Sequence, residues 1–292
     1  MPCYWPVPAF QGMPGEALRL MPPVGTANLA VPCGRCLGCR TDRAADWARR
    51  ATHEASLWPV TSFVTLTYDD DHLPVGGHLV PKDLQDFLKR LRIHAHRHSR
   101  SVDGDRGAGV RYLACGEYGD RTQRPHYHAI LFNAGFRDAY PVGKDMAESP
   151  LLAKLWPFGS NRVSEFTPAR ANYVAQYTLK KIGQSDCDAD GVVRPAPFLR
   201  VSTRPGIGAP WLSRFREDLA HGYLVADGRK ASVPRAYLRR LREESPQLAD
   251  TVQARAEATR VAVGSDRNDP ARLRAAELIH QRRKALSESR AL

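Results

Sequence analysis

The stretch RPHYHAILF, residues 124–132, decides how the chain is read. Its β-branched, aromatic and aliphatic residues mark a strand, and side chains alternate faces along a strand. His126 and His128 therefore project the same way, with imidazoles close enough to share one cation. Tyr127 is read as facing the other way, together with Ile130 and Phe132. Taken alone, the pair is either a metal clamp or two hydrogen-bonded histidines in a strand. A second H-x-H run supplies the contrast: His94, His96 and His98 in RIHAHRH fall in a stretch with helical spacing. On a helix, residues two apart point about 200° apart and cannot share an ion. His94 and His98, four apart, could do so, but a solvated cationic helix end is the plainer reading.

Working outward, GVRYLACGEYG (109–119) is also strand-like, and the polar DRTQRP (120–125) joins the two runs as a hairpin with a longer loop. That hairpin brings Glu117 onto the neighbouring strand. A carboxylate beside two imidazoles makes a three-ligand set with open positions for substrate oxygens. The alternative is a surface glutamate paired with Arg121 or Arg124.

Other segments supply the frame. SFVTLTY (62–68), NRVSEF (161–166) and FLRVST (198–203) read as strands. A helix is expected from Thr41 or Asp42 as N-cap through Trp58, and another from Pro81, with Leu84, Phe87, Leu88 and Leu91 on its apolar face. AESPLLAKLW (147–156) reads as a short helix, APWLSRFREDLAHG (209–222) as one ending at Gly222, and TPARANYVAQYTLKKI (167–182) as one capped by Thr167 with Pro168 first. Hairpins mixed with helices predict an α+β fold, an antiparallel sheet with helices on one side. Residues 1–40 are expected to form an irregular Cys-rich arm, 41–233 the main domain, and 234–292 a basic helical tail, either an appendage or partly disordered.

Composition narrows the function classes. Of 292 residues, 42% are hydrophobic, which excludes a wholly disordered chain. No window approaches 18 consecutive apolar residues and no basic region precedes an apolar one at the N-terminus, so the reading is a cytoplasmic protein with no membrane partner. Lys and Arg number 43 against 31 Asp and Glu, and the net charge of +12 favours a polyanionic partner.

Cys33, Cys36 and Cys39 form C-x2-C-x2-C in PCGRCLGCR, a spacing that points to metal or redox chemistry more than to disulfides. Cys3 is the candidate fourth ligand, since an irregular arm can bring it back. A [4Fe–4S] cluster competes, but a ferredoxin run would put its fourth cysteine where Arg43 stands, which favours structural Zn²⁺ over a cluster; unligated thiols are the plain alternative. Cys115 and Cys187 read as small buried or loop residues.

On the 167–182 helix, Tyr173 and Tyr177 are four apart and share a face; Lys180 continues the stripe and Lys181 flanks it. A helical tyrosine pair is by default the edge of a core. The lysines add a second reading: a phenol with a pKa of about 10 needs help to become phenolate, and a nearby ammonium favours the anion.

In this order, FVTLTY (63–68), RPHYHAILF (124–132) and YVAQYTLKK (173–181) resemble the three motifs of HUH endonucleases, the rolling-circle replication initiators. RPHYH, PCGRCLGCR and RPGIG (204–208) make the chain particularly similar to the replication initiators of the microviruses, small circular single-stranded DNA phages. The resemblance runs from about Cys3 to Gly208. It implies a five-stranded antiparallel HUH sheet related to ferredoxin-like folds, with Mg²⁺ or Mn²⁺ on His126 and His128 and Glu117 as third ligand. It implies Tyr173 and Tyr177 as nucleophiles assisted by Lys180 or Lys181. The activity implied is metal-dependent nicking of single-stranded origin DNA through a 5′-phosphotyrosine, followed by strand transfer that closes a circle. Host helicase and polymerase are the implied partners. A relaxase or HUH transposase, and a non-catalytic zinc-containing DNA-binding module, are the rival readings.

Overall fold

The computed structural model describes residues 3–13, 16–97, 102–103, 109–119, 121–180, 191, 193–226, 228–262 and 269–289. In chain order its elements are β1 (Val7–Phe10), β2 (Arg19–Leu20), β3 (Leu29–Val31), α1 (Leu37–Ala55), β4 (Thr61–Thr67), α2 (Pro81–Arg97), β5 (Val102–Asp103), β6 (Arg111–Tyr118), β7 (Pro125–Phe132), β8 (Gly135–Phe136), β9 (Tyr140–Gly143), β10 (Met146–Glu148), α3 (Pro150–Leu155), β11 (Asn161–Glu165), α4 (Pro168–Lys180), β12 (Phe198–Val201), α5 (Ala209–Phe215), β13 (Leu224–Ala226), β14 (Arg229–Ala231), α6 (Arg235–Glu244), α7 (Pro246–Ala262) and α8 (Pro270–Ser289). The chain gathers into two compact units, Ala45–Val252 and a second made of Met1–Ala44 with Gln253–Leu292. Among the described residues no helix is long and apolar enough to cross a membrane.

The fold is α+β. Its main sheet is antiparallel in the order β12-β6-β7-β4-β11-β10-β9, so β7, the strand of RPHYHAILF, is bonded on both sides. Pro125 is tolerated as its first residue, where a missing N–H costs little. Seven strands exceed the expected five because the hairpin β9–β10 extends the β11 edge. Every residue of β9 is exposed, so the segment lacks the alternation by which a strand is recognised.

Each face of the sheet carries helices, not one face only. Tyr127, Ala129 and Leu131 of β7 point into a core with Leu84, Phe87, Leu88 and Leu91 of α2 and Leu152 and Leu155 of α3. Ile130 and Phe132 lie on the opposite face with Ala171 and Val174 of α4 and Ala51 of α1. They thus share the histidines' side of the strand, as a strict two-residue alternation requires, and not Tyr127's. Fully burying side chains of this size stabilises by about 1.5–3 kcal/mol each, which fixes the register of β7 and with it the direction of His126 and His128.

A third core joins α5, α6 and the start of α7 through Leu212, Tyr237, Leu241, Ala249 and Val252. Residues from 234 to 252 pack within the large unit: α6 exposes Arg235, Arg239 and Arg242 and buries Tyr237 and Leu241. The RPGIG loop is tied to α1 by the fully buried Glu54, which accepts from Arg111 Nε at 2.6 Å and from the Gly208 N–H at 2.7 Å. Gly208 has φ +78°, and a Cβ there would collide with the Tyr237 hydroxyl, so the position requires glycine. The helix expected over 209–222 changes to a 3-10 turn at Arg216–His221 before Gly222.

In the smaller unit, residues read as an irregular arm form a three-stranded sheet, β2-β1-β3. Its strands are two to four residues long, with Ala9 alone among their residues buried, too short for alternation to show. Helix α1 starts at Leu37, ahead of the expected cap, and the Thr41 hydroxyl donates to the Leu37 carbonyl from inside the helix. Cys39 therefore lies in the first turn of α1.

Candidate functional site

Pairing between strands assembles the site. In the β6–β7 ladder Glu117 lies opposite His126 and Cys115 opposite His128; in the β4–β7 ladder Thr65 lies opposite His128. His126 Nε2 and His128 Nε2 each approach Glu117 Oε1 at 2.9 Å. Glu117 is 2% exposed, which rules out a surface glutamate pairing with arginines.

The outward ring nitrogens are held from behind. His126 Nδ1 lies 3.1 Å from the Arg124 carbonyl, which can only accept, so Nδ1 carries a proton; Nε2 donates to Glu117, and a bound ion would take the place of that second proton. His128 Nδ1 lies 2.9 Å from Thr65 Oγ1. Such a second contact fixes ring orientation in histidines that bind metals.

Protonation states agree with that use. Burial alone would raise the Glu117 carboxyl, but hydrogen bonds and charge from His126 and His128 outweigh it and hold it below the usual carboxylate range. Burial pushes the His128 imidazolium below its ordinary value. A carboxylate and a neutral imidazole are the forms a metal binds. Glu117 Oε2 is also buried with no hydrogen-bond partner among the described residues. A buried carboxylate oxygen left in this way is costly unless a cation satisfies it, so a carboxylate beside two imidazoles fits a divalent ion.

Helix α4 delivers the phenol. Thr167 Oγ1 accepts from the Arg170 N–H at 3.1 Å, giving the expected cap, and Ala171 and Val174 seat the helix on the sheet. Tyr173 is 38% exposed and places its hydroxyl 3.4 Å from Glu117 Oε1, its ring edge-on to His128 with centroids 5.2 Å apart. The phenol is thus open to a substrate and adjacent to the carboxylate and imidazoles. The side chains of Tyr177 and Lys180, and all of Lys181 and Cys187, lie outside the described residues, as does His98.

Thr65 escaped the sequence reading. It sits in FVTLTY with Thr67 two residues on, the same spacing as the histidines. Its role depends on β4 being the other neighbour of β7, which alternation alone does not reveal.

The second cluster lies in the smaller unit. Cys3, Cys33, Cys36 and Cys39 bring their Sγ atoms within 4.8 Å of one another, with Cys36 and Cys3 at 3.9 Å. A tetrahedral Zn²⁺ with bonds of ~2.3 Å requires sulfurs about 3.8 Å apart. Backbone N–H groups already point at these sulfurs: Cys33 to Cys3 at 3.2 Å, Cys36 to Cys33 at 3.3 Å, and Tyr4 to Cys36 at 3.3 Å. Burial would raise the Cys33 thiol, yet N–H donors from Cys36 and Arg35 bring it down to about 7. Burial pushes Cys39 up. Four sulfurs at this spacing suit one metal ion.

Comparison with known proteins gives these clusters a setting. The family model "Replication-associated protein ORF2/G2P" matches residues 61–182, the span from β4 through α4. Replication-associated protein VP4 of Bdellovibrio phage phiMH2K is 34% identical over 219 residues, 72% of this chain and 67% of that protein. Replication-associated protein ORF2 of Spiroplasma virus 4 is 33% identical over 232 residues, 74% of this chain and 69% of the relative. Replication-associated protein ORF4 of Chlamydia phage 1 is 32% identical, covering 76% of this chain and 56% of the relative. No solved structure matches the chain significantly. Shared sequence across most of the chain, with the family match enclosing the histidine strand and the tyrosine helix, places the chain in the family of phage replication-associated proteins.

Proposed function

We propose that the chain is a rolling-circle replication initiator: a two-tyrosine HUH endonuclease that nicks single-stranded origin DNA and later rejoins it. The observation that carries this reading is the Tyr173 hydroxyl 3.4 Å from Glu117 Oε1, itself 2.9 Å from two histidine Nε2 atoms. The strands β12-β6-β7-β4-β11 supply the five-stranded HUH sheet in this account, with β10 and β9 as an extension. The replication-associated phage relatives support DNA as the partner and the host cytoplasm as the place of action.

A divalent cation, Mg²⁺ or Mn²⁺, held by His126, His128 and Glu117 would offset negative charge on the scissile phosphate. One of Tyr173 and Tyr177, as phenolate, attacks phosphorus. The tyrosine Oη–P bond forms, the P–O3′ bond breaks, and the departing oxygen takes up a proton to leave a 3′-OH and a 5′-phosphotyrosine. Lys180 or Lys181 favours the phenolate. After a round of synthesis the other tyrosine attacks the regenerated junction, and the newly freed 3′-OH attacks the first phosphotyrosine, closing the circle and releasing the first tyrosine. Each transfer exchanges one phosphodiester for another, so no ATP enters. Host helicase and polymerase extend the 3′-OH. The large unit, Ala45–Val252, performs the chemistry, and Cys3, Cys33, Cys36 and Cys39 hold a structural Zn²⁺ in the smaller one.

The reading is tested by incubating the protein with single-stranded origin DNA and Mn²⁺, then denaturing it. A DNA adduct that survives denaturation is expected, and its persistence in a Tyr173→Phe, Tyr177→Phe double variant refutes the assignment. Native mass spectrometry should find about one zinc per chain, lost in Cys36→Ser; a full-length chain free of zinc refutes the cysteine assignment.

A further inference from the structure

Beside the cysteine cluster lies an open groove of about 620 Å³, formed wholly within the smaller unit by the N-terminal arm, the start of α1 and one face of α8. Its charged side chains are Arg35, Arg40 and Lys284 against the single acid Glu277. Glu277, Gln281 and Lys284 are spaced four and three apart and so share one helical face. Helix α8 carries further cations at Arg272, Arg274, Arg282 and Arg283, all exposed.

Trp5 gives the groove its second character. The residue is 51% exposed, unusual for a tryptophan that is also held in place. The indole N–H donates to Glu277 Oε2 at 2.8 Å, and the Arg274 guanidinium lies 5.5 Å from the ring centroid. Next to it, the Tyr4 hydroxyl is 2.9 Å from His280 Nδ1, so two consecutive aromatic residues fasten the arm to α8. Cys3, two positions before Trp5, belongs to the four-sulfur cluster. A fixed, half-exposed indole in a cationic groove pairs a π-face with phosphate-neutralising charge. That combination recognises single-stranded nucleic acid, because unpaired bases stack on aromatic rings while the backbone follows the positive track. An acidic protein would answer the charge but leaves the indole face without a planar partner.

We propose that this groove is a binding site for single-stranded DNA, with Trp5 as a base-stacking platform and Arg35, Arg40 and Lys284 facing the phosphates. It shares no residue with the histidine centre. The choice of DNA as the nucleic acid rests on the nicking function proposed above.

The test uses the full-length protein, fluorescein-labelled oligo-dT read by anisotropy, and tryptophan fluorescence. Trp5→Ala should weaken oligo-dT binding about 5- to 100-fold and remove part of the DNA-induced tryptophan quenching. Arg35→Ala, at an exposed position, should lower the slope of log affinity against log salt by about 0.7. Both variants should form the covalent adduct normally at saturating DNA. Unchanged affinity and quenching in Trp5→Ala overturn the proposal, as does poly-glutamate competing as well as oligo-dT at equal charge, which points to an acidic protein partner. Loss of the adduct at saturating DNA also overturns it, since Trp5 then serves the chemistry. Absence of any adduct in the unaltered protein, with Trp5-dependent binding retained, defeats the nicking reading and leaves the groove standing.

Discussion

Replacing Thr65 by valine removes one hydroxyl and keeps the shape of the side chain, so it isolates the 2.9 Å contact to His128 Nδ1. With that contact present, the ring is held so that Nε2 meets Glu117 Oε1 at 2.9 Å. Without it, the imidazole of a residue 6% exposed has a buried Nδ1 that has lost its Thr65 contact, and the ring can turn or change tautomer. Loss of such outer contacts costs 10–100-fold in metal affinity, about 1.4–2.7 kcal/mol. Global stability should fall by less, about 1 kcal/mol, the net worth of one hydrogen bond. Mn²⁺ titration followed by calorimetry should therefore show a dissociation constant raised 10–100-fold in Thr65→Val and restored in Thr65→Ser, while urea midpoints stay close together. Equal Mn²⁺ affinity in the valine variant and the unaltered protein refutes the orienting role.

Other expectations follow from burial and charge. Phe87, fully buried and edge-on to Trp156, should cost about 3–5 kcal/mol in urea unfolding when changed to Ala; a loss under 1 kcal/mol contradicts the packing described. Arg111→Met strands the carboxylate of Glu54 in a fully buried position and should destabilise by about 3–5 kcal/mol; an unchanged midpoint argues against the pair. His53, stacked on Trp211 at 3.8 Å, has its pKa lowered by burial, with help from Arg49, from 6.5 to about 4. The unfolded chain then binds more protons between those values, so stability falls as pH drops from 6.5 toward 4. The unscreened effect is about 3 kcal/mol, and about half that for a ring with partial solvent access. His53→Phe should flatten this part of the pH profile, and an identical slope in both proteins contradicts it.

How far the sequence disclosed this architecture depends on where the physics was local. The β6–β7 hairpin was legible because alternation, a polar turn and bulky apolar residues coincide, and two-residue periodicity then put His126 and His128 on one side. Glu117 followed from the hairpin alone. Thr65 did not, because its partner is set by strand order. The same periodicity, applied strictly, would have placed Ile130 and Phe132 with the histidines. The β9–β10 hairpin and the short arm strands carry almost no buried alternation and gave no signal. The expected tail beyond 234 hid Tyr237 and Leu241 among arginines, and only their packing with Leu212 and Leu219 explains them.

The central claim is that a phenol on α4, beside His126, His128 and Glu117, takes the 5′-phosphate of the nicked strand. Single-stranded origin DNA labelled at its 3′ end, treated with the protein and Mn²⁺, digested with protease and sequenced by mass spectrometry, tests this most directly. The account predicts that the labelled fragment is carried by the peptide containing Tyr173 or Tyr177, and that His128→Ala abolishes the linkage. A linkage through any other residue, or one formed equally without His128, contradicts it.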